Sequence, residues 1–207
     1  MSQERLWDEF FSRQQLTQSQ QDQFKDYYER LVAANKLHNI TGITDLAQVL
    51  TDHFEDSLAL RKFIPCEVLK GLGDVGTGAG FPALPLKIIY PHIPLVLIEV
   101  NAKKRAFLQE LVEHFQFSQV SIVELDWRTF LRQTHYEVDI FCARASLQPE
   151  ELIRVFKPSS PYKDSRLVYW ASRSWKPSSE VQPFIADTYS YTVGVKERKL
   201  VLFKAQA

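Results

Sequence analysis

The sequence predicts an α/β fold in which helices cover both faces of a mainly parallel β-sheet. After Pro65, short apolar runs alternate with amphipathic stretches of about ten residues, which is the pattern of a parallel sheet. Two final apolar segments can form a hairpin, which would add an antiparallel edge to that sheet. The earlier part of the chain shows helical periodicity instead. We therefore expect a helical extension over 1–64 and a sheet domain over 65–207.

Three helices are predicted in the extension. The first lies around Arg5–Arg13, and the second runs over Ser19–Leu37 with its serine as the N-cap. Asn39, in the break that follows, is typical of a residue that ends a helix in the left-handed conformation. The third helix, around 45–58, places His53 on its apolar face, where a hydrogen-bonded core histidine is favoured over a catalytic one.

The elements of the sheet domain follow in strand–helix order. Strands are predicted at 68–75, 95–98, 120–125, 138–142 and 167–171. Helices are predicted at 81–90, 102–115, 127–132 and 149–156. The closing hairpin is predicted to pair 188–195 with 200–204.

The composition excludes several classes of protein. A chain of 207 residues with 45% hydrophobic residues can bury a core, which argues against disorder. The longest apolar run falls short of the roughly 20 residues of a membrane helix, and the polar opening lacks a signal-peptide core. Because Cys66 and Cys142 are the two cysteines, a disulfide scaffold is not expected. These features predict a cytoplasmic protein with no membrane partner.

The formal net charge is zero, which by itself disfavours a nucleic-acid-binding protein. That zero combines two unlike parts. Residues 1–60 carry 10 acidic and 5 basic residues, so residues 61–207 carry an excess of five positive charges. We therefore expect a modest basic surface on the sheet domain.

The strongest functional signal is the segment 74–80, with the sequence DVGTGAG, between a predicted strand and a predicted helix. Glycines there permit a tight turn and let a ligand approach the main chain. The spacing is one residue shorter than the dinucleotide fingerprint, and Phe81-Pro82 stands where a phosphate-binding loop has lysine and a hydroxyl. An uncharged or cationic ligand therefore fits better than a pyrophosphate.

Carboxylates follow the next two predicted strands. Glu99 could accept two hydrogen bonds from a ribose diol, and Asp126 could meet the exocyclic amine of a base. Alternatively, the loop is only a tight turn and Glu99 only an acid at the start of a helix. Together with Asp74, three acids at successive strand ends favour a nucleoside-cofactor site, which suits S-adenosylmethionine better than NAD.

Five segments together resemble the GidB/RsmG family of small-subunit ribosomal RNA methyltransferases. They are, in family order, 39–41 (NIT), 52–57 (DHFEDS), 74–82 (DVGTGAGFP), 143–145 (ARA) and 197–201 (ERKLV). The resemblance implies a class I S-adenosylmethionine-dependent methyltransferase fold, a Rossmann-like mixed sheet, and methyl transfer to N7 of a guanine in 16S rRNA. The loop and the resemblance together give the predicted cofactor contacts Asp74, Gly76, Gly78, Gly80, Phe81, Glu99, Asp126, Trp127 and Arg144.

The implied reaction makes few chemical demands. Guanine N7 carries a free lone pair and no proton, so attack on the methyl group requires orientation and exclusion of water, but no general base. Cys142 is expected to be a small apolar residue in a buried strand. Arg144, just past the fourth strand, is the predicted catalytic residue, since a guanidinium could bridge the methionine carboxylate or hold the guanine. The alternative is a surface salt bridge.

The chain also departs from the family pattern. Many members carry Ala-Leu-Lys-Gly on the fifth strand, whereas 168–173 here is VYWASR, so that Arg173 is the candidate replacement for the lysine. Trp127 stands near a usual acidic position, where it could stack on adenine or lie in the core. The predicted RNA-contacting or accessory residues are Asn39, His53, Lys103, Lys104, Arg105, Arg128, Arg132, Arg173 and Lys176, with Trp170 and Trp175 as stacking faces. The cluster 103–105 is equally consistent with a solvated helix face.

The sequence thus predicts an S-adenosylmethionine-dependent methyltransferase acting on guanine N7 of 16S rRNA. Its expected partner is 16S rRNA or the small ribosomal subunit, and we expect a monomer without a metal. The alternatives are a methyltransferase of the same fold acting on a small molecule or protein, and a non-catalytic cofactor-binding assembly factor.

Overall fold

A seven-stranded mixed sheet forms the centre of the protein in a computed structural model, which describes residues 2–206. The strand order is β3-β2-β1-β4-β5-β7-β6. The strands are β1 (Leu72–Val75), β2 (Leu95–Ile98), β3 (Val120–Val123), β4 (Ile140–Ala143), β5 (Arg166–Ser172), β6 (Ile185–Val193) and β7 (Lys196–Phe203). The first five are mutually parallel, while β7 runs antiparallel to β5 and β6. The predicted fold class, including the C-terminal hairpin, is confirmed.

The apolar runs of the central strands are buried on both sides. In β2, Leu95 and Leu97 belong to one core cluster, whereas Val96 and Ile98 belong to a second cluster on the opposite face. This split follows from the alternation of side chains along a strand. It explains why the strand has a continuous apolar sequence, as parallel strands covered on both faces do.

Two long helices begin the chain, α1 (Gln3–Gln14) and α2 (Gln18–His38). The prediction of Ser19 as N-cap was wrong, because Thr17 caps α2 through a reciprocal pair of hydrogen bonds with Gln20. A side-chain amide three residues after the cap makes Thr17 the better choice. Asn39 ends the helix with φ of 50°, as predicted.

The third predicted helix takes an unusual form. It consists of α3 (Leu46–Gln48), a π-helix over Val49–Glu55 and α4 (Asp56–Leu58), which we call together the π-segment. Its apolar face is buried as predicted. Asp52, His53 and Asp56 are buried as well, so the segment carries an unusual amount of polar surface into the interior. Such π-turns occur frequently at functional sites.

The remaining helices cover the two faces of the sheet. They are α5 (Ala83–Ile89), α6 (Ala102–His114), α7 (Trp127–Gln133) and α8 (Pro149–Leu152). Residues of α1, α2 and the π-segment share one core cluster with α5, α6 and the sheet, while α7 and α8 contribute to the other. Within residues 2–206, no helix is both long and apolar enough to span a membrane.

Tyr27 ties α2 to the glycine-rich loop. Its fully buried hydroxyl donates to the carbonyl of Ala79 at 2.6 Å. We expect Tyr27→Phe to lower the free energy of unfolding by about 1–2 kcal/mol in urea denaturation, because the carbonyl loses its partner. Tyr136→Phe, at a partly exposed ring, is the matched control and should change stability by less than about 0.5 kcal/mol. Equal effects of the two changes would contradict this role.

Candidate functional site

The glycine-rich loop lies where β1 ends, beside β4, at the point where the chain connections diverge to opposite sides of the sheet. Ligands of open α/β sheets bind at such points. Gly76 and Gly78 have φ of +67° and +62°. A Cβ on Gly76 would lie 2.6 Å from Cβ of Ser146, whereas a Cβ on Gly78 would meet no atom closer than 3.9 Å. Gly78 therefore faces open space that a side chain would fill.

Asp74 holds the two ends of this loop. Its Oδ2 accepts from Thr77 Oγ1 at 2.7 Å and from the backbone N–H of Ala83 at 3.1 Å. The carboxyl group is fully buried, and burial raises its pKa to about 7. Its Oδ1 has no protein hydrogen-bond partner among residues 2–206, so one oxygen shapes the loop while the other is left unengaged.

A cleft of about 330 Å³ opens at the carboxyl ends of β1, β2, β3 and β4. It is lined by Val75, Gly76, Ile98, Glu99, Val100, Lys104, Leu125, Asp126, Trp127, Ala145, Ser146 and Leu147. Four predicted cofactor contacts therefore lie at one cleft, as the topology required. Asp74, Gly78, Gly80, Phe81 and Arg144 are not among the lining residues.

Glu99 is the acid that faces both the cleft and the loop. Its Oε2 accepts from the backbone N–H of Gly78 at 2.9 Å, and its Oε1 accepts from that of Asn101 at 2.8 Å. Each carboxylate oxygen can accept more than one hydrogen bond. Glu99 thus fixes the loop and still has acceptor capacity for hydroxyl groups of a ligand.

Asp126 caps α7 at the edge of the cleft. It accepts from the backbone N–H and the hydroxyl of Thr129, at 3.0 and 2.7 Å. These hydrogen bonds lower its pKa, so the carboxylate is charged at neutral pH. Trp127, the next residue, was predicted either to stack on adenine or to lie in the core. The indole lies in the core, since it is 3% exposed and its Nε1 donates to the carbonyl of Glu151 at 3.2 Å. Contact of Trp127 with the cofactor stays a prediction.

The terminal nitrogens of Arg144 lie against the π-segment. Nη1 donates to the Asp52 carbonyl at 2.5 Å and to Asp56 Oδ2 at 3.0 Å, while Nη2 donates to His53 Nδ1 at 3.0 Å. Intramolecular acceptors thus engage both terminal nitrogens, and contact of this guanidinium with a ligand stays a prediction. The alternative of a surface salt bridge was wrong, since Asp56 is fully buried. Its buried Nε has no hydrogen-bond partner within residues 2–206.

His53 is a hydrogen-bonded core histidine. Because Nδ1 accepts from Arg144, the ring proton resides on Nε2, which donates to Thr41 Oγ1 at 3.0 Å. Burial is the main cause that lowers its pKa to about 4, so the ring is neutral. The ring also stacks on Phe81 at 4.4 Å between centroids. Phe81 is held between His53 and Tyr27, and its contact with a cofactor stays a prediction.

The C-terminal hairpin completes a buried polar cluster around Asp56. Tyr191 donates to Asp56 Oδ1 at 2.6 Å, and Arg198 Nε lies 3.4 Å from the same oxygen. Lys196 donates to Asp52 Oδ2 at 2.6 Å. The sequence predicted no role for these hairpin residues. The signal was present in the segments 52–57 and 197–201, which belong to the same family resemblance but gave no indication that they are in contact.

Trp170 belongs to this cluster as well. The prediction of an exposed stacking face was wrong, because the ring is buried and Nε1 donates to the Asp56 carbonyl at 2.9 Å. Cys142 is fully buried, and burial raises the pKa of its thiol well above the usual value, as befits an apolar strand residue. In the range 2–206, no group of three or more His, Cys, Asp or Glu side chains is arranged to hold a metal ion.

Comparison with known proteins identifies the family. The sequence model of GidB, described as rRNA small subunit methyltransferase G, matches residues 20–180. The chain belongs to the GidB family. It is 44% identical over 110 residues to the ribosomal RNA small subunit methyltransferase G of Leuconostoc citreum, which covers 52% of this chain and 46% of that relative. It is also 36% identical over 128 residues to the ribosomal RNA small subunit methyltransferase G of Desulfitobacterium hafniense, an alignment that covers 62% of this chain and 52% of that relative. The chain thus spans about half the length of the curated relatives it matches.

Solved structures support the same fold. An MtNAS mutant in complex with S-adenosylmethionine superposes with a TM-score of 0.60, at 16% identity, over 87% of this chain and 76% of the other. TrmN from Thermus thermophilus gives a TM-score of 0.56 at 14% identity, over 75% and 53%. At such identities the likeness concerns the fold alone. The fold is that of S-adenosylmethionine-dependent methyltransferases, as the resemblance implied.

The remaining predicted RNA contacts of this GidB member are dispersed over its surface. Asn39 is exposed at the end of α2, and Lys103 is exposed in the first turn of α6. Arg128 forms an ion pair with Glu151. Arg173, the candidate replacement for the family's lysine, pairs with Glu197 at 2.7 Å on the surface. Their contact with RNA stays a prediction.

The neutral His53 makes stability depend on pH. A histidine in the unfolded chain has a pKa near 6.5, against about 4 in the fold. Between these values the unfolded chain binds a proton that the folded protein does not, so stability falls as the pH falls. In urea denaturation, we expect the free energy of unfolding of the native protein to fall by about 2 kcal/mol between about pH 7.5 and pH 5, relative to that of His53→Gln.

Comparing the native protein with His53→Gln cancels the contributions of the other titrating groups to the pH dependence of stability. Asp74, whose raised pKa has the opposite effect of losing stability as the pH rises toward 7, is present in both proteins. Its contribution therefore cancels in the difference. Parallel pH profiles for the two proteins would contradict a neutral His53.

Proposed function

We propose that this chain transfers a methyl group from S-adenosylmethionine to N7 of a guanine in 16S rRNA. The observation that carries the proposal is the cleft at the carboxyl ends of four parallel strands, closed on one side by a glycine loop that Glu99 holds. Membership of the GidB family supports rRNA as the acceptor, because its relatives are named ribosomal RNA small subunit methyltransferase G.

The residues at the cleft fit this cofactor. Glu99 offers carboxylate acceptors for a ribose diol, and the space in front of Gly78 lets a ligand approach the main chain. Asp74 Oδ1, Ser146 Oγ and Arg144 Nε are buried polar atoms without protein partners in the described part of the chain. An acceptor together with donors suits the ammonium and carboxylate groups of an amino acid. We propose that these atoms hold the methionine part of the cofactor.

The polar groups around the cleft agree with an acceptor that needs no deprotonation. S-adenosylmethionine supplies an activated methyl group on a sulfonium. His53 is neutral but both ring nitrogens are engaged, and both oxygens of Glu99 accept backbone hydrogen bonds. Asp126 is a weak base because its pKa is lowered. Guanine N7 requires orientation and exclusion of water from these walls, and no removal of a proton.

In our proposal Arg144 also has a positioning role, through its terminal nitrogens. Its terminal nitrogens fix the loop 144–147 against the π-segment, and that loop contributes Ala145, Ser146 and Leu147 to the wall of the cleft. The orientation of the wall therefore depends on a contact made outside the cleft.

We further propose 16S rRNA or the assembled small subunit as the partner, for a monomeric cytoplasmic protein that uses no metal. The helical part over 1–64 and the sheet part over 65–207 share a core cluster. We therefore propose that they fold as one cooperative unit, in which the sheet part carries the cofactor.

Mass mapping of 16S rRNA tests this function against its alternatives. Deletion of the gene should abolish one N7-methylguanine, and the purified protein should restore it with S-adenosylmethionine. Retention of every N7-methylguanine after deletion would refute the proposed acceptor. A methylated small molecule or protein would favour another substrate on the same fold, and cofactor binding without transfer would favour the non-catalytic assembly factor.

Gly78 tests the location of the cofactor site. Gly78→Val combines a left-handed backbone with a branched side chain in the open space of the loop. We expect S-adenosylmethionine binding to become undetectable by calorimetry. Gly42→Val is the matched control, because Gly42 is exposed, has no positive φ and has no atom within 4 Å of an added Cβ. Native affinity in a folded Gly78→Val protein would refute this location.

A further inference from the structure

A basic groove lies on the face of the sheet that carries α7 and α8. It has a volume of about 300 Å³ and is lined by Arg128, Leu131, Arg132, Arg154, Lys157, Ser159 and Ser160. Its residues come from α7, from the 3-10 helix Ile153–Phe156 and from the loop 157–160. None of the five family-like segments contributes to the groove, so it lies outside the predicted cofactor site.

Two of the four cations are fixed in position by one acid. Glu151 accepts from Arg128 at 2.5 and 2.8 Å and from Arg154 at 2.8 Å. These arginines, Arg128 first, lower the pKa of Glu151 to about 2, so it is charged. Each guanidinium has five N–H donors, and Glu151 uses at most two of them. Both arginines therefore retain donors in a preorganised geometry.

The other two cations are exposed and form no salt bridge within the described residues 2–206. Arg132 makes a hydrogen bond at 3.3 Å to Thr129, and Lys157 lies at the start of the loop. The buried Ser160 accepts from the backbone N–H of Tyr162 through its Oγ, which leaves its hydroxyl proton for an acceptor in the groove. Four cations and two serine hydroxyls form a surface for an anion with several oxygens.

The groove and the cleft are lined by neighbouring residues at and after the start of α7. Asp126 and Trp127, at the start of the helix, line the cleft, while Arg128, Leu131 and Arg132 line the groove. Residues 128 and 132 are one turn apart, about 5–6 Å along the helix. A chain of phosphates lying in the groove would therefore lead over the start of α7 to the mouth of the cleft.

We propose that this groove binds the phosphodiester backbone of the rRNA strand that carries the target base. The inference rests on the proposed function and extends it to a second contact surface. The groove supplies sequence-independent affinity and orientation, as phosphate contacts do. Its arginine forks match phosphate oxygens, and its position beside the cleft sets the direction in which the strand approaches.

The test neutralises the two cations that lack an acidic partner. Arg132→Gln combined with Lys157→Gln should weaken equilibrium binding to purified small subunits and to deproteinised 16S rRNA by about tenfold or more at low salt. The slope of log affinity against log salt should become shallower by about 1.5, the value for two lost phosphate contacts. S-adenosylmethionine affinity should remain native, because neither residue lines the cleft.

Two control variants separate charge at this place from charge in general and from packing. Lys36→Gln with Lys62→Gln removes the same charge from exposed positions elsewhere and should bind as the native protein does. Arg132→Lys with Lys157→Arg keeps the charge and should bind within about threefold of native. The assignment would be overturned if Lys36→Gln with Lys62→Gln lost as much rRNA affinity as Arg132→Gln with Lys157→Gln. It would also be overturned if the charge-conserving pair lost as much.

The remaining outcomes are also decisive. Polyglutamate serves as a second probe, a polyanion made of protein. If the variant with Arg132→Gln and Lys157→Gln loses affinity for polyglutamate but keeps its affinity for rRNA, the groove is a protein-docking surface and the RNA assignment is overturned. If the native protein binds rRNA and methylates it but the neutralised pair binds equally well, the groove assignment alone fails. If the native protein neither binds nor methylates rRNA, the proposed function fails together with it.

Discussion

The buried ion pair between Arg144 and Asp56 is the contact on which the arrangement of the site depends. Two charges in an interior are costly unless further hydrogen bonds satisfy them, and removing one partner of such a pair typically costs about 3–5 kcal/mol. Here Asp56 also accepts a hydrogen bond from the hydroxyl of Tyr191, and Arg198 lies close by. Arg144 also donates to the carbonyl of Asp52 and to His53. The pair thus joins the π-segment, the loop after β4 and the C-terminal hairpin.

The π-segment makes this junction feasible. Its wider turn places Asp52, His53 and Asp56 in the interior, and the Asp52 carbonyl accepts from Arg144. The same helix still buries its apolar residues against the core. One short element therefore provides both apolar packing and buried hydrogen-bond partners. Through it the family-like segments 52–57, 143–145 and 197–201, which are distant in the sequence, come into contact.

The sequence predicted features that depend on local pattern. The run Leu95–Ile98 was identified as a strand with its observed bounds, since apolar continuity and the flanking proline define it. The meeting of Gly76, Glu99 and Asp126 followed from topology, because parallel strand ends share one edge. The direction of Arg144 could not be predicted. Its partner lies 88 residues away in the chain, and no periodicity reports which distant side chain satisfies a charge.

The orientation of two aromatic rings could also not be predicted from the sequence. Phe81 and Trp127 occupy family positions next to the cleft, yet their rings pack inward, because a large apolar ring gains more from burial than from an exposed edge. The sequence left Trp127 open between core and site, and it predicted Phe81 as a cofactor contact without indicating that its ring is buried. The π-helix was unpredictable for a different reason, since it differs from an α-helix in bonding to the fifth instead of the fourth residue, which the spacing of a few apolar residues does not reveal.

The loop held by Asp74 and Glu99 has a consequence for how fast and how tightly a ligand is captured. Its backbone is fixed by side-chain acceptors of the protein itself, so the conformational entropy of ordering it is lost during folding. A ligand then meets a rigid receptor and pays little reorganisation on arrival. Association would be governed by diffusion and desolvation, and affinity differences among close analogues would appear mainly as differences in residence time.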